Sequence, residues 1–377
     1  MSNDELVLYY QPKICLLTGD VIGAEALVRW ADGTREIIPP NEFLPLAESS
    51  GLLHDLTMRL LDQVTDAAVE LRGHASDLAL SMNVAPNDLA SNKISNRIGE
   101  LLAQETISPE DLQIEITESA VMGNVERVRD DLERLNRLGI KVLMDDFGTG
   151  YSSIDRLSQL PFDALKLDQG VVKRMGSSRQ SLDVVRSAIS MARELGMTSV
   201  AEGIETEGVY NFLIANGCEE AQGYYIARPM SLADLIGFVS ETHDFEGSQI
   251  GRVHQATLNL MHFRKSLVDA AYCSQLGVGV ALESVIDPGL CTDVKHSRMG
   301  EWYFGIGKKL EKFATYRAIE KPLYDMHLAG QRFIQLLSSD VGAAKLKAGI
   351  HEVDKQFDRL VDLLHALERD LVSEKLH

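Results

Sequence analysis

The chain has 377 residues, 45% hydrophobic and 25% charged, which is long for one ordinary domain and balanced like a globular protein with an ample core. Its net charge of −19 lies wholly in residues 1–244, where 39 Asp and Glu face 20 Lys and Arg, whereas residues 245–377 carry 17 of each. An acidic first part repels polyanions, which argues against duplex nucleic acid as a partner and for bound cations wherever a phosphate-bearing ligand is handled.

The opening MSNDELVLYYQPK has no basic segment followed by an apolar one, so no signal peptide is expected there. No apolar run reaches the roughly 18 residues of a membrane span, so none is expected. Cys15, Cys218, Cys273 and Cys291 are scattered without a Cys-x-x-Cys pair, which predicts reduced thiols and a cytoplasmic location.

Short apolar runs then recur at 77–84, 112–117, 140–146, 163–168 and 197–202 and read as strands. Amphipathic stretches at 125–139 and 180–196 lie among them and read as helices, each ending in Gly, a common helix stop. This alternation predicts a parallel sheet. Glu25, Asn83, Glu115, Asp145, Lys166, Glu202 and Gln222 each sit at or near the end of a different apolar run. A (β/α)8 TIM-like barrel brings such strand ends to one mouth, where active sites lie, and is the α/β fold expected for residues 1–244. A polar, glycine-containing stretch at 245–251 reads as a linker. Beyond it, 252–275, about 279–286, 301–335 and 341–373 read as helices, the last with apolar residues at three- and four-residue spacing, predicting an all-α helical bundle over 252–377.

Glu25, Asn83, Glu115 and Asp145 together offer hard oxygen ligands suited to Mg2+ or Mn2+ rather than zinc. Asp146, beside Asp145, is placed to bridge to a second cation, and two such ions clamp the attacking and leaving oxygens of a phosphodiester displacement. Lys166 is a candidate to orient or deprotonate the water, or to neutralise developing charge. A single acidic strand end is as often a salt-bridging or loop-capping group; the cluster is what points to chemistry.

The stretches YYQPK (9–13), EALVRW (25–30), FLPLAESSGLL (43–53), MNVAP (82–86), IEITES (114–119), MDDFGTGYSS (144–153), LKLD (165–168), AEGIET (201–206) and QGYYIARP (222–229) follow one another in an order that resembles EAL domains, the bacterial cyclic di-GMP phosphodiesterases. The resemblance implies opening of one phosphodiester of cyclic di-GMP to give linear pGpG. It implies Glu25, Asn83, Glu115 and Asp145 as metal ligands and Asp146 as the bridge to a second metal. Lys166 and Glu202 match the groups that place the water, and Asp168 and Gln222 belong to their surroundings. Gln11, Leu27 and Arg29 match positions holding the nucleotide. The loop at 147–153, with Phe147, Gly148 and Thr149, matches one that orders the second aspartate and joins a dimer contact, and Glu118 matches the glutamate that steadies it. A homodimer is therefore expected. The runner-up is a non-hydrolysing cyclic di-GMP receptor.

The segment 287–305, with Gly300, Trp302 and Tyr303, and EKPLYDMHLAG (320–330) resemble a chemoreceptor zinc-binding (CZB) domain, a bundle holding zinc by three histidines and a cysteine. The chain departs from that pattern at the ligands. Ser297 stands where cysteine is expected, Leu323 where the first histidine of a pair is expected, the early histidine falls near Leu260 to His262, and His327 alone is in place. Either the bundle has no metal and serves dimerisation and signal relay, or His262, His296 and His327 with Cys291 or Cys273 form a rearranged zinc site. A zinc- or redox-sensing bundle is a third functional reading.

Overall fold

The computed structural model describes residues 5–31, 37–75, 78–89, 92–118, 125–148, 157, 159–241, 243, 245, 249–276, 293–337 and 343–375. Chain contacts divide the protein into two compact units, Met1–Tyr210 with Cys218–Phe245, and Asn211–Gly217 with Glu246–His377.

The first unit is a barrel. Strands β1 (Leu6–Cys15), β2 (Val21–Ala31), β4 (Ala79–Asn83), β5 (Leu112–Thr117), β6 (Lys141–Phe147), β7 (Ala164–Leu167), β8 (Thr198–Ala201) and β9 (Glu220–Gln222) form a closed ring, and the two-residue β3 (Ile37–Ile38) adds to the edge of β2. From β2 round to β9 every neighbouring pair in the ring is parallel. β1 departs from the expected uniform repeat: it runs antiparallel to both β2 and β9 and so closes the ring. Gly23 explains how tightly β2 and β4 meet, because a Cβ there would lie 2.3 Å from the Ala79 carbonyl oxygen.

The outer helices are α1 (Pro40–Ser49), α2 (Leu53–Arg72), α3 (Pro86–Leu89), α4 (Lys93–Ala103), α5 (Val125–Arg137), α6 (Gln169–Lys173), α7 (Arg179–Glu194) and α9 (Leu232–Ser240), while α8 (Glu207–Ala215) begins in the first unit and ends in the second. Their apolar stripes face the sheet: α5 buries Val128, Leu132 and Leu135, and α7 buries Val185, Ala188, Ile189 and Ala192. Each fully buried Leu or Val of this kind contributes roughly 1.5–3 kcal/mol.

The second unit is helical, with α10 (Gln249–Leu276), α11 (Arg298–Phe304), α12 (Ala314–Arg317), α13 (Glu320–Leu337) and α14 (Ala343–Lys375). The helix expected from 252 begins at Gln249, inside the stretch read as linker. The single helix expected over 301–335 is broken. Gly305 (φ −97°, ψ −118°) stops α11, a 3-10 turn spans Ile306–Leu310, and α13 restarts with Pro322 in its first turn, where the missing N–H costs nothing. Tyr303 and Tyr316 stack across the break at 4.6 Å, and Tyr316 donates its hydroxyl hydrogen to the Tyr303 carbonyl. Along α14, Val353, Leu360, Leu364, Leu367 and Leu371 are buried at helical spacing. The segment expected as a helix at about 279–286 lies outside the described residues. No described helix is long and apolar enough to cross a membrane.

Candidate active site

The parallel strands β2 and β4–β9 bring their C-terminal ends to one mouth, and the seven polar residues predicted from the sequence meet there. Lys166, fully buried on β7, is the hub. Its Nζ lies 2.6 Å from Glu202 Oε1, 3.3 Å from Asp145 Oδ1 and 3.4 Å from Glu25 Oε2, and it also donates to Glu115 Oε2. Asn83 Nδ2 donates to Glu25 Oε1 at 2.9 Å. Gln222 Nε2 donates to Glu25 Oε2 at 2.6 Å and to Glu202 Oε1 at 3.3 Å. Four carboxylates thus surround one ammonium, leaving a formal excess of three negative charges in a largely buried space.

Burial, together with that excess and the Lys166 charge, shifts the titration of these groups. Burial first, then the charges of Glu25 and Asp145, push Glu115 up to about 7 against the pull of Lys166. Burial, reinforced by Asp145 and Glu25, likewise holds Glu202 well above the carboxylate range. For Glu25 burial acts upward, yet Lys166 and the hydrogen bonds from Gln222 and Asn83 keep it below its ordinary value. Burial disfavours the Lys166 ammonium, but Glu115, Glu202, Glu25 and Asp145 outweigh it and hold that group well above the usual lysine range.

These residues fit a divalent cation. Glu25, Glu115 and Asp145 are buried and offer oxygens within 4.8 Å of one another, the one such group among the described residues. Glu115 Oε1 and Gln222 Oε1 are buried without a hydrogen-bond partner, the situation of atoms awaiting an electropositive neighbour. All donors are oxygens, the set preferred by Mg2+ or Mn2+.

Asp146 adopts φ +59°, a conformation costly for a residue with a Cβ, and its N–H donates to Asp145 Oδ1 at 2.9 Å. Burial, then Asp145 and Asp168, raise its pKa. Glu118 Oε2 accepts the Gly148 N–H at 3.0 Å, tying the residue after Phe147 to the end of β5. Thr149 lies outside the described residues. Asp168 caps α6, with Oδ1 accepting from Gly170 at 2.9 Å and Val171 at 3.2 Å.

A cleft of about 240 Å3 opens above the cluster and is lined by Gln11, Leu27 and Arg29 together with Glu25, Glu202 and Gln222. Gln11 donates to the Ala227 carbonyl at 3.2 Å, and Arg29 to that of Val28 at 2.8 Å. Further lining residues that the sequence did not single out include Gln169, Lys173, Glu205 and Tyr224. Lys173 and Glu205 pair at 2.9 Å, and Arg228 stands 4.3 Å over the Tyr224 ring. Tyr224 had a signal, since it follows Gln222 by two positions; the Lys173–Glu205 pair joins distant segments and had none.

In the helical unit, Leu260, Ser297, Leu323 and His327 line one cavity of about 20 Å3 with Asn259 and Met326. Ser297 is spent as a helix cap: its Oγ donates to Val294 at 2.7 Å and accepts from Gly300 at 3.1 Å. Gly300 is required there, since a Cβ would fall 1.8 Å from the Val294 carbonyl oxygen. His327 is buried with Nε2 3.2 Å from Gln331 Nε2, whereas His262 is half-buried and His296 exposed. The three histidines form no metal-ligand group among the described residues. A capped hydroxyl and a leucine do not fit zinc, which takes thiolate, imidazole or carboxylate. Cys291 lies outside the described residues.

A family model described as "EAL domain" matches residues 1–229. The chain is 36% identical over 240 residues to the cyclic di-GMP phosphodiesterase RocR of Pseudomonas aeruginosa, covering 64% of this chain and 61% of that one. It is 36% identical over 241 residues to the cyclic di-GMP phosphodiesterase NbdA of the same organism, covering 63% of this chain and 31% of NbdA. The chain thus spans less than two thirds of these relatives. A solved structure, the PaMucR phosphodiesterase in complex with c-di-GMP, is similar at 34% identity and a TM-score of 0.59, covering 61% of this chain and 94% of that one. On the extent of the family match, reinforced by the acidic cluster at the barrel mouth, the chain belongs to the EAL domain family.

Proposed function

We propose that the protein is a cation-dependent phosphodiesterase that hydrolyses cyclic di-GMP to linear pGpG. The observation that carries this reading is the cation-deficient cluster of Glu25, Glu115, Asp145 and Glu202 around Lys166, with an unpartnered Glu115 oxygen beneath a cleft lined by Arg29. Relatives named for this activity, RocR and NbdA, and a related structure holding c-di-GMP support the choice of substrate. Glu25, Asn83, Glu115 and Asp145 would hold one Mg2+ or Mn2+, and Asp146, with Asp168 near it, a second. Bound there, such ions polarise a phosphoryl oxygen and acidify water.

The chain's own residues do the positioning. Asn83 and Gln222 fix both oxygens of Glu25. Lys166, enclosed by four carboxylates, keeps its protons on Nζ and so neutralises charge and orients water rather than acting as the base. Glu202, which lines the cleft and meets Lys166, is the carboxylate that would sit beside that water. Arg29 faces the cleft with a guanidinium suited to phosphate oxygens.

The helical unit is read as a regulatory bundle, CZB-like in descent and without zinc, that joins two copies of a cytoplasmic protein. A strictly monomeric protein in light scattering would overturn the dimer. Incubation of the full chain with cyclic di-GMP and Mg2+ or Mn2+, followed by chromatography for pGpG, tests the main reading. Turnover that disappears in Glu25→Gln supports it; folded, metal-loaded protein that binds the nucleotide without cleaving it is the receptor instead.

A further inference from the structure

A second cavity, of about 510 Å3, lies on the reverse of the catalytic strands. Successive side chains of β2 and β4 alternate between the two faces of the barrel wall. Glu25 and Leu27 line the catalytic cleft, while Ala26, Val28, Met82 and Val84 line this cavity beneath α1 and α2. Leu44 and Leu53 line it from the helix side, Leu27 borders both spaces, and Asn83 at the end of β4 lines it as well. The roof is slight: α1 is ten residues long, contains Pro45 and buries only Phe43 and Ala47.

The space is a cleft partly open to solvent, and its apolar wall atoms lack the dispersion contacts that a packed neighbour would supply. A mostly apolar space of this size falls within the range of about 300–1,000 Å3 in which ligand pockets lie. Glu48 is the single charged residue among its described lining residues, and the surrounding unit is strongly acidic, so anions are disfavoured. We propose that this cavity binds an uncharged, apolar small molecule, and that occupancy alters turnover by shifting β2 and β4, which carry Glu25 and Asn83. The binding half stands alone; the effect on turnover rests on the phosphodiesterase reading.

The probe is N-phenyl-1-naphthylamine, neutral and fluorescent in apolar surroundings, titrated into the full chain. One saturable site is expected, weakened at least about tenfold in Leu44→Trp and in Leu53→Trp, each of which narrows the space with a bulky ring, and unchanged in Tyr272→Ser, an exposed position on α10. Unfolding midpoints select the filled variants that remain native, and Val28→Phe replaces either that does not. Absence of a saturable site, or unchanged binding in the folded filled variants, overturns the binding site. Cyclic di-GMP turnover is measured at saturating probe, and a change in kcat of about twofold or more is expected. An unchanged kcat overturns the coupling. Protein that binds the probe but never cleaves the dinucleotide overturns the phosphodiesterase reading while leaving the cavity assigned.

Discussion

Lys166 Nζ stands 2.6 Å from Glu202 Oε1, and the same fully buried ammonium is shared with three more carboxylates. Replacing it by Met leaves those carboxylates without their cation, and breaking a buried ion pair from one side costs about 3–5 kcal/mol. Lys166→Met is therefore expected to lower unfolding stability by about 3 kcal/mol in chelator, with part of the loss restored by Mn2+. Urea titrations with and without Mn2+ measure both effects. Equal stability of the two proteins in chelator would sink the account of the hub.

Removing charge from Glu115 addresses the cation directly. Its Oε1 has no hydrogen-bond partner and its Oε2 meets Lys166. Glu115→Gln is expected to weaken Mn2+ binding by at least about 100-fold, more than losing an outer partner of a metal site costs, and to abolish hydrolysis. Calorimetric titration with Mn2+ reads the affinity apart from turnover, and an unaltered affinity would place the cation elsewhere.

The Glu118–Gly148 hydrogen bond restrains the chain just beyond the strained Asp146. A hydrogen bond to a charged group contributes about 1.5–3 kcal/mol. Glu118→Ala is expected to lower kcat by roughly tenfold or more, whereas Glu118→Gln, which keeps an acceptor oxygen, recovers part of it. Steady-state kinetics of the pair decide this: two variants with equal kcat would mean that the bond does not set the position of Asp146.

The cavity in the helical unit makes a claim about metal. Wild-type protein dialysed against zinc and desalted is expected to retain none at Ser297 and His327. Leu260→His, Ser297→Cys and Leu323→His combined would supply a thiolate and two further imidazoles beside His327 and install a zinc site. Elemental analysis of both proteins is the measurement, and stoichiometric zinc lost from the wild type on His327→Ala would reverse the conclusion.

Cys218 is fully buried, its thiol directed at the carbonyls of Ser199 and Glu220, and burial pushes it up to about 12. The native state thus holds the thiol proton more firmly than the unfolded chain. Its stabilising contribution is complete below the ordinary thiol range and is lost as pH rises toward 12. Iodoacetamide at mildly alkaline pH should leave Cys218 unmodified in native protein and label it in urea. Mass spectrometry of the labelled peptides reads this, and Cys218→Ala should flatten the alkaline fall in stability.

Much of the site was legible because parallel strands deliver residues toward their C-terminal ends to one place, although Glu25 lies well inside β2. Glu25, Asn83, Glu115, Asp145, Lys166, Glu202 and Gln222 could be picked out one strand at a time, and their meeting followed from closure of the barrel. The antiparallel course of β1 was hidden, since its apolar pattern is the same whichever way its neighbours run. Lys173 and Glu205 belong to segments with no common periodicity, so their pairing depends on the folded wall of the cleft. The interruption between Phe304 and Ala314 was missed because Trp302, Tyr303 and Leu310 keep a helix-like spacing while Gly305 and Gly307 turn the chain. In the helical unit, Leu260, Ser297, Leu323 and His327 line one cavity, and a capped hydroxyl and two leucines are poor donors for zinc.

The antiparallel strand that closes the ring also sets an order of events. β1 pairs with β2 through a short hairpin, but its other edge waits for β9, and Gln222 reaches Glu25 across 197 residues of chain. During synthesis the first hairpin can form early, while the carboxylate beside it stays unsupported until nearly the whole barrel has emerged. A long-range seam of this kind places barrel closure after most of the chain has emerged, and the carboxylate cluster is complete only with it. Arrest of translation before residue 222 would leave a nascent protein with most of its sheet laid down and no working centre.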